Sequence, residues 1–277
     1  MEKFLIITNY MKDDDYEITS RIQSYIESNG KVCVLCEKDD YENIVEAKIP
    51  HDVDCALVIG GDGTFIQASR VLFGREIPML GINMGTLGYL TEVEVQNVEN
   101  AIDQLIAGEY MIENRMMLYG SVCDRVRDVA LNDIVIARYR SMRILNFNLY
   151  VNGEFLNSYN ADGIIVSTPT GSTAYNLSAG GPIVEPTASL IVLTPICSHA
   201  LNSSSIILSD EDEIVIEIGS RRGELTEDAA ITFDGADISL LRTGDRVRIK
   251  KAWEKAAIVK LSKISFLETL RDKMKGN

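Results

Sequence analysis

The stretch CALVIGGDGTFIQASR, residues 55–70, determines which kind of fold the chain adopts. Four apolar residues, 56–59, lead into the glycine-rich run 60–63, and apolar positions then resume. This pattern predicts a buried strand that passes through a tight loop into a helix. Glycine lacks a Cβ, so backbone N–H groups can approach an anion closely, and the amino terminus of a helix adds partial positive charge. The run therefore predicts a phosphate-binding loop formed by Gly60, Gly61, Gly63 and Thr64.

Asp62 is the unusual residue of this loop. The chain contains no GxxxxGK[ST] motif, and the dinucleotide motif GxGxxG is broken because Ile66 stands where the third glycine belongs. A carboxylate beside phosphates is repulsive unless the chemistry needs a metal or a proton acceptor there. The alternative is a strand-to-helix turn in which Asp62 is the helix N-cap.

A second glycine-rich turn, GINMGTLGYL, occupies residues 81–90. It follows the next predicted strand, residues 77–83, so we expect it at the same edge of the sheet as the first loop. Strands are also predicted over 4–10 and 31–36, and a helix over 13–30. Strands that alternate with helices indicate a mainly parallel sheet of βαβ units.

From about Met116 the pattern changes to short β-rich runs separated by turn residues. Asn152-Gly153 and Asp234-Gly235 stand between apolar runs, which is a strong hairpin signal, and Gly244 marks a further turn. This part therefore predicts an antiparallel β domain. The segment 265–277 predicts a closing helix.

Composition limits the classes of partner. The chain has 277 residues and a formal net charge of −14, which argues against a nucleic-acid or anionic-membrane binder. The longest nearly apolar run, 188–197, is half the length that spans a bilayer, and the amino terminus lacks the pattern of a signal peptide. We therefore expect a cytoplasmic protein. Five cysteines, an odd number, favour free thiols, and Cys33 and Cys36 fall in a predicted strand that turns them to opposite faces.

The third notable segment, NADGIIVSTPTGSTAYNLSAGGPIVEP, covers residues 160–186. Its hydroxyl and amide side chains, in a context rich in Gly and Pro, suit recognition of a polar ligand by short hydrogen bonds. The alternative is a polar surface loop. Asn132-Asp133 interrupts another apolar strand, where polar side chains need a partner, and either a binding site or a structural turn explains it.

The loop 60–64 together with STPTGSTAYNLSAGGPIV resembles the NAD kinase family, whose members phosphorylate the 2′-hydroxyl of the adenosine ribose of NAD. The first motif also occurs in related forms in diacylglycerol kinases, sphingosine kinases and phosphofructokinases, whereas the second is more specific. The likeness extends through TPICSHALNSSSIIL, 194–208, and the DGADI turn at 234–238.

The resemblance implies a Rossmann-like α/β amino-terminal domain, residues 1–112, completed by about 254–277, and a β-sandwich NAD-binding domain, residues 113–253. It implies the substrates NAD and ATP, a divalent metal ion such as Mg²⁺, for which no ligands are assigned, and a homo-oligomer, a dimer or tetramer. Asp62 would be the catalytic proton acceptor. The NAD-binding positions would be Asp62, Gly63, Asn132, Asp133, Arg143, Asn160, Asp162, Thr173, Ala174, Tyr175, Asn176, Leu177 and Ser178.

Three positions depart from the family pattern. Asp133 stands where the family usually has Glu, Ala236 replaces a frequent Gln, and Asn160 stands where a basic residue or His is common. These departures concern contacts with the ligand rather than the reaction. Two alternatives to an NAD kinase remain, a diacylglycerol-type lipid kinase and a non-catalytic sensor that binds NAD or NADP. The polar segment 160–186 opposes the first, and the carboxylate of Asp62 opposes the second.

Overall fold

The structure of the chain is a computed structural model. The structure describes residues 1–9, 11–13, 15–37, 44, 46–85, 88–123, 125–140, 144–198, 204–220, 229–262 and 264–275. It divides into two compact units, which are unit 1, Met1–Asn114 with Ala256–Asn277, and unit 2, Arg115–Lys255. The domain boundaries predicted above, at 112/113 and 253/254, stay a prediction about which segments fold as domains.

The parallel sheet of unit 1 is formed where the sequence predicts it. Its strands β1 to β5 are Lys3–Thr8, Val32–Leu35, Cys55–Gly60, Met79–Asn83 and Val93–Glu94. They pair in parallel in the order β4-β3-β1-β2, and β5 adds to β4. All six residues of β3 are buried, which is why this strand reads as an uninterrupted apolar run.

Helix α1, Glu17–Ser28, connects β1 to β2, and α2, Asp62–Val71, connects β3 to β4, whereas α3, Val98–Ala107, follows β5. Ile22 and Ile26 bury one face of α1, as their spacing predicts. The sequence analysis did not predict α3. Its buried residues Val98, Ala101, Ile102 and Leu105 nevertheless have helical spacing, and it ends at Gly108 in the left-handed conformation.

Unit 2 contains two antiparallel groups of strands. Strands β6 to β11 are Met111–Val122, which begins in unit 1, Val126–Ala130, Asp133–Arg138, Leu145–Val151, Glu154–Ala161 and Gly163–Ser167. Strands β12 to β17 are Leu190–Ile196, Ile206–Ser209, Ile214–Ile218, Ala229–Phe233, Ala236–Leu241 and Arg246–Lys260, and a short helix α4, Tyr175–Ser178, follows β11. One sheet has the order β13-β12-β11-β8-β15-β16, and the other group has β10-β9-β14-β17.

Side chains from both groups share one core, which makes unit 2 the predicted β-sandwich. Phe147 and Ile216 from one group and Ile164 and Phe233 from the other are fully or almost fully buried in it. This sandwich and the α/β sheet of unit 1 confirm the predicted fold class.

Two of the three predicted turns form hairpins, and the third connects two sheets. Asn152-Gly153 joins β9 to β10 and Asp234-Gly235 joins β15 to β16, with positive φ at all four residues, so both hairpins are confirmed. Gly244 also has positive φ, 92°, but β16 and β17 lie in different sheets. That turn therefore carries the chain from one sheet to the other.

The carboxyl-terminal segment returns to unit 1, as the fold class predicts. Ile258 of β17 pairs in parallel with Met79, and helix α5, Phe266–Met274, follows. The N-cap of α5 is Ser265, whose side chain accepts a hydrogen bond from the backbone N–H of Glu268. Lys273 Nζ lies 5.6 Å from the centroid of the Tyr89 ring, a cation–π contact.

Candidate functional site

The predicted phosphate loop lies at the carboxyl end of β3, where the strand passes directly into α2. Gly60 ends the strand, Gly61 is the helix N-cap, and Asp62 is the first helical residue. The alternative in which Asp62 is the N-cap is therefore wrong. The N-cap position has no side-chain hydrogen bond, so the first N–H groups of α2 are open to a ligand.

The carboxylate of Asp62 binds the second glycine-rich turn. Its Oδ2 accepts a hydrogen bond from the backbone N–H of Tyr89 at 2.8 Å, and its Oδ1 accepts from those of Leu90 at 3.1 Å and Thr91 at 3.3 Å. The two turns meet because β3 and β4 are neighbours, with Gly60 opposite Asn83. The expectation that both glycine turns lie at one edge of the sheet is confirmed.

Three glycines of this edge have different reasons to be glycine. A Cβ on Gly60 would lie 2.4 Å from Thr64 Oγ1, and one on Gly88 would lie 1.9 Å from Asp62 Oδ1. Both glycines are needed for packing. A Cβ on Gly63 would meet no atom within 4 Å, so packing does not explain this glycine.

The second turn is also tied to the end of β17. Glu92 Oε1 accepts hydrogen bonds from the backbone N–H groups of Leu261 and Ser262, and its Oε2 lies 2.8 Å from Lys260 Nζ. Burial by itself raises the pKa of Glu92, but the hydrogen bonds from Lys260 and Ser262 outweigh it, and the pKa is lowered. Burial and the charge of Asp62 raise the pKa of Tyr89.

Unit 2 contains a pocket of about 350 Å³ that brings together several predicted NAD-binding residues. Asn132 and Asp133 enter it from the start of β8, and Ala174 and Tyr175 enter it from the start of α4. The complete lining is Asn132, Asp133, Val135, Ala174, Tyr175, Thr232, Asp234 and Gly235.

Asp234 holds one wall of this pocket. Its carboxylate accepts hydrogen bonds from the backbone N–H groups of Leu131 at 2.7 Å, Asn132 at 2.8 Å and Asp133 at 3.0 Å. The side chain of Asp133 is buried beside it. Burial, and then the charge of Asp234, raise the pKa of Asp133 to about 7.

Several polar side chains of segment 160–186 form hydrogen bonds within the protein. Thr168 Oγ1 donates to the carbonyl of Leu131 at 2.6 Å and accepts from the N–H of Gly171 at 3.0 Å. Asn176 is fully buried, and its amide donates to the carbonyls of Ser172 and Pro182 and accepts from the hydroxyl of Thr194. These contacts exclude the surface-loop alternative, and they assign the side chain of Asn176 to packing.

The remaining predicted residues of α4 and its approach are more accessible. Thr173 Oγ1 makes one long hydrogen bond, 3.4 Å, to the carbonyl of Thr170. Tyr175, Leu177 and Ser178 have exposed side chains on α4, where Tyr175 lines the pocket.

Asp162 lies just before β11, at the end of that strand away from the pocket, and Asn160 lies on β10 in the other group of strands. Strand β11 separates Asp162 from Ser167, which pairs with Asp133, so five residues, about 17 Å of strand, lie between Asp162 and the pocket wall. Asp162 Oδ1 accepts from Arg138 Nε at 3.1 Å, and Asn160 Oδ1 accepts from Asn146 at 3.4 Å. Arg143 lies outside the described residues.

Several residues of these sites were missed by the sequence analysis. The sequence analysis assigns Asp234 to a hairpin and Tyr89 to the second glycine-rich turn, and it gives no role to Thr91. The end of β1 lies beside the end of β3 in a parallel sheet, so the residues after Thr8 were candidates for the phosphate edge. The hydrogen bonds of Asp62 and Asp234 join segments distant in sequence and leave no local signal.

The fold and these two sites define a nucleotide-binding protein with an α/β phosphate edge and a β-sandwich that carries a polar pocket. Residues 4–110 match the family described as the ATP-NAD kinase N-terminal domain, and residues 131–261 match the ATP-NAD kinase C-terminal domain. The chain belongs to the ATP-NAD kinase family, which confirms the resemblance found in its motifs.

Similar proteins agree with this assignment over the whole length. An NAD kinase of Agathobacter rectalis is 50% identical, with 100% of this chain and 99% of that protein covered, and one of Lachnospira eligens is 46% identical, with 99% and 100% covered. The chain is therefore a phosphotransferase.

Two solved structures have the same fold. Yeast NADH kinase in complex with NADH matches with a TM-score of 0.87 and 23% identity, covering 100% of this chain and 88% of that one. An NAD kinase from Archaeoglobus fulgidus in complex with ATP matches with a TM-score of 0.77 and 25% identity, covering 95% of each chain.

Proposed function

We propose that this chain is an NAD kinase that transfers a phosphoryl group from ATP to the 2′-hydroxyl of the adenosine ribose of NAD, giving NADP. The observation that carries this proposal is the carboxylate of Asp62, fixed between two glycine turns at the amino terminus of α2. The carboxylate joins the two turns through its hydrogen bonds, and it also places a proton acceptor beside the predicted phosphate loop. A phosphotransferase needs a proton acceptor there.

Unit 1 would hold the donor. The open N–H groups at the start of α2 and the free space around Gly63 suit the phosphates of ATP. Asp62 would accept the proton of the attacking hydroxyl. Its hydrogen bonds to residues 89–91 would orient the carboxylate for that role.

Unit 2 would hold the acceptor. Asn132, Asp133, Ala174 and Tyr175 line one pocket whose polar groups could bind a ribose and whose tyrosine could contact a base. Three further side chains near Tyr175 in sequence could extend these contacts, since Thr173 is half-buried and Leu177 and Ser178 are exposed. Asn160, Asp162 and Arg143 stay predicted ligand positions. That Ala236 changes a contact with the ligand also stays a prediction.

The side chains of this site could supply only some of the ligands of a divalent metal ion. The described residues contain no group of three His, Cys, Asp or Glu side chains that could bind a metal. Mg²⁺ is commonly bound by one or two carboxylates together with substrate phosphates, so the phosphates of ATP would be its main ligands here. When bound, Mg²⁺ would neutralise charge on the transferring phosphoryl group.

The assembly and location of the protein also stay proposals. Apolar side chains are exposed on edge strands of unit 2, among them Phe155 on β10, Ile207 on β13 and Ile238 on β16, which supports a homo-oligomer, a dimer or tetramer. Within the described ranges, no helix is long and apolar enough to cross a membrane. We propose a cytoplasmic protein.

The experiment is an assay of purified full-length protein with NAD and Mg²⁺, with NADP measured by an NADP-specific dehydrogenase. We expect NADP with ATP, and parallel reactions with polyphosphate or NADH define the range of donor and acceptor. Radiolabelled ATP with diacylglycerol vesicles tests the lipid-kinase alternative. Binding of NAD without any NADP formation would support the sensor alternative, although the matched family and relatives favour neither.

A further inference from the structure

We propose that Lys12 binds the phosphates of the donor nucleotide and supplies the cationic side chain that the phosphate loop itself lacks. This inference rests on the proposed function, because it names a further residue of the same donor site. Phosphate loops of the GxxxxGK[ST] type carry a lysine within the motif, and this chain has no such motif. A lysine from another segment can provide the same charge.

Lys12 lies directly over the phosphate loop. Its Nζ is 3.7 Å from the position that a Cβ on Gly61 would occupy, and Gly61 is the N-cap of α2. The ammonium group thus lies close to the residue that precedes the first N–H groups of the helix. An anion held by those N–H groups would lie within reach of the Lys12 side chain.

The backbone that carries Lys12 is fixed to this edge of the sheet. The N–H groups of Met11 and Lys12 donate to the side-chain and backbone oxygens of Asn9, and the N–H of Asn9 donates to the carbonyl of Ile59. The side-chain amide of Asn9 donates to Thr64 Oγ1 at 3.2 Å. The turn after β1 is thus attached to the loop through both its backbone and a side chain.

The charge of Lys12 is not used within the described protein. No carboxylate of the described residues lies within 4.0 Å of its Nζ. Five other lysines of unit 1 do form ion pairs with carboxylates, namely Lys3, Lys31, Lys48, Lys260 and Lys275. An ammonium group with no carboxylate partner among the described residues, placed beside open N–H groups, attracts an anion even in a chain whose net charge is −14.

The test compares Lys12→Met and Lys12→Arg with wild type. Lys48→Met is the matched control, because it removes the same charge from an exposed ion pair of unit 1. Steady-state kinetics give KM for ATP and for NAD separately. Calorimetric binding of a non-hydrolysable ATP analogue with Mg²⁺, at low and high salt, measures the same interaction without turnover, and thermal unfolding checks the fold.

We expect Lys12→Met to lower kcat/KM for ATP and the affinity for the analogue by about 10- to 100-fold, the loss typical of one charge-assisted hydrogen bond. Its analogue binding should also depend less on salt than that of wild type. KM for NAD and the melting temperature should stay unchanged, and Lys12→Arg should retain more ATP affinity than Lys12→Met.

Two results would overturn the inference. One is a Lys12→Met variant that binds the analogue as tightly as Lys48→Met does, and the other is a change in KM for NAD alone. A wild-type protein that forms no NADP would instead refute the proposed function. Binding of the analogue to the three variants would still decide the role of Lys12 in that case.

Discussion

The carboxylate of Asp234 accepts a hydrogen bond from the backbone N–H of Asn132 at 2.8 Å, although the two residues are 102 positions apart. The same carboxylate accepts from the two neighbouring N–H groups, so it fixes three consecutive backbone donors. Asp62 does the same for residues 89–91 in unit 1. In each unit, one acidic side chain thus shapes a loop of a candidate binding site.

We expect Asp234→Ala to lower the free energy of unfolding by about 2–4 kcal/mol, because three partly buried N–H groups lose a charged acceptor. Loss of the repulsion between Asp234 and Asp133 offsets part of this cost. KM for NAD should rise, since the wall formed by Asn132 and Asp133 loses its support. Urea unfolding and steady-state kinetics measure the two effects.

Asp212→Ala is the control for this variant. Asp212 accepts from the N–H of Ser209 and from the side-chain amide of Asn152 at an exposed turn of unit 2, and it does not line the pocket. Its loss should leave KM for NAD unchanged. An Asp234→Ala variant with wild-type KM for NAD would contradict the role that we assign to this contact.

The Asp62→Asn variant separates proton transfer from binding. We expect it to keep the affinity for NAD but to lower turnover by roughly 10²–10⁴-fold, the usual contribution of a general base. Stopped-time assays of NADP formation and calorimetric titration with NAD provide the two measurements. Asparagine keeps one acceptor oxygen for the N–H groups of 89–91, so part of the loop's support is retained.

The matched control is Asp54→Asn, at the amino end of β3. Asp54 Oδ2 accepts hydrogen bonds from the backbone N–H groups of Glu2 and Lys3, so the substitution removes the same kind of contact at the opposite end of the strand. It should leave turnover unchanged. Unchanged turnover in Asp62→Asn would remove Asp62 from the proton-acceptor role.

The sequence predicts the elements of these sites better than their connections. The apolar run before Gly60 predicts β3 and the loop after it, because a buried parallel strand has a local signature. Asp234-Gly235 also has a local signature, because a tight hairpin turn needs positive φ and these residue types adopt it readily. Neither pattern indicates that Asp62 and Asp234 accept backbone hydrogen bonds from other segments.

The buried side chain of Asn176 shows that the sequence also does not reveal which polar residues have a structural role. Its neighbours are polar, and the segment resembles a ligand-binding motif, yet its side chain satisfies three internal hydrogen-bonding partners. Composition cannot distinguish a polar residue that binds a ligand from one that holds the loop, because both need hydrogen-bond partners. The sequence analysis does not predict α3, although the buried apolar residues of this helix have local helical spacing.

Gly63→Ala tests whether the space at the phosphate loop is reserved for a ligand. We expect an unchanged or slightly higher melting temperature, because a Cβ meets no neighbour and alanine favours a helix by up to about 1 kcal/mol. The kcat/KM for ATP should fall, since the added methyl group would occupy the space of a phosphate. Thermal unfolding and kinetics check both expectations.

Gly60→Ala provides the contrast. Its Cβ would lie 2.4 Å from Thr64 Oγ1, so this variant should lose stability through a steric clash. A Gly63→Ala variant as active as wild type would show that the free space at Gly63 has no role in binding the donor.

The raised pKa of Asp133 predicts an unusual dependence of stability on pH. Its unfolded pKa is near 3.8, and burial and Asp234 raise the folded value to about 7, so between these values the native state holds a proton that the unfolded state has lost. Stability from this group therefore falls as the pH rises from about 4 to about 7, and then levels off. Asp133→Asn removes this dependence.

The measurement is urea unfolding of wild type and Asp133→Asn at pH 5, 6, 7 and 8. Relative to wild type, the variant should gain stability between pH 5 and pH 8, by on the order of 1–3 kcal/mol. Asp54→Asn is a control of opposite sign, since backbone hydrogen bonds hold the pKa of Asp54 below its usual value. Stability from Asp54 is present at every pH above about 4, so that variant should differ from wild type by a constant amount over this range. A constant difference for Asp133→Asn as well would mean that Asp133 is already ionised throughout, and that the pocket wall holds two charged carboxylates.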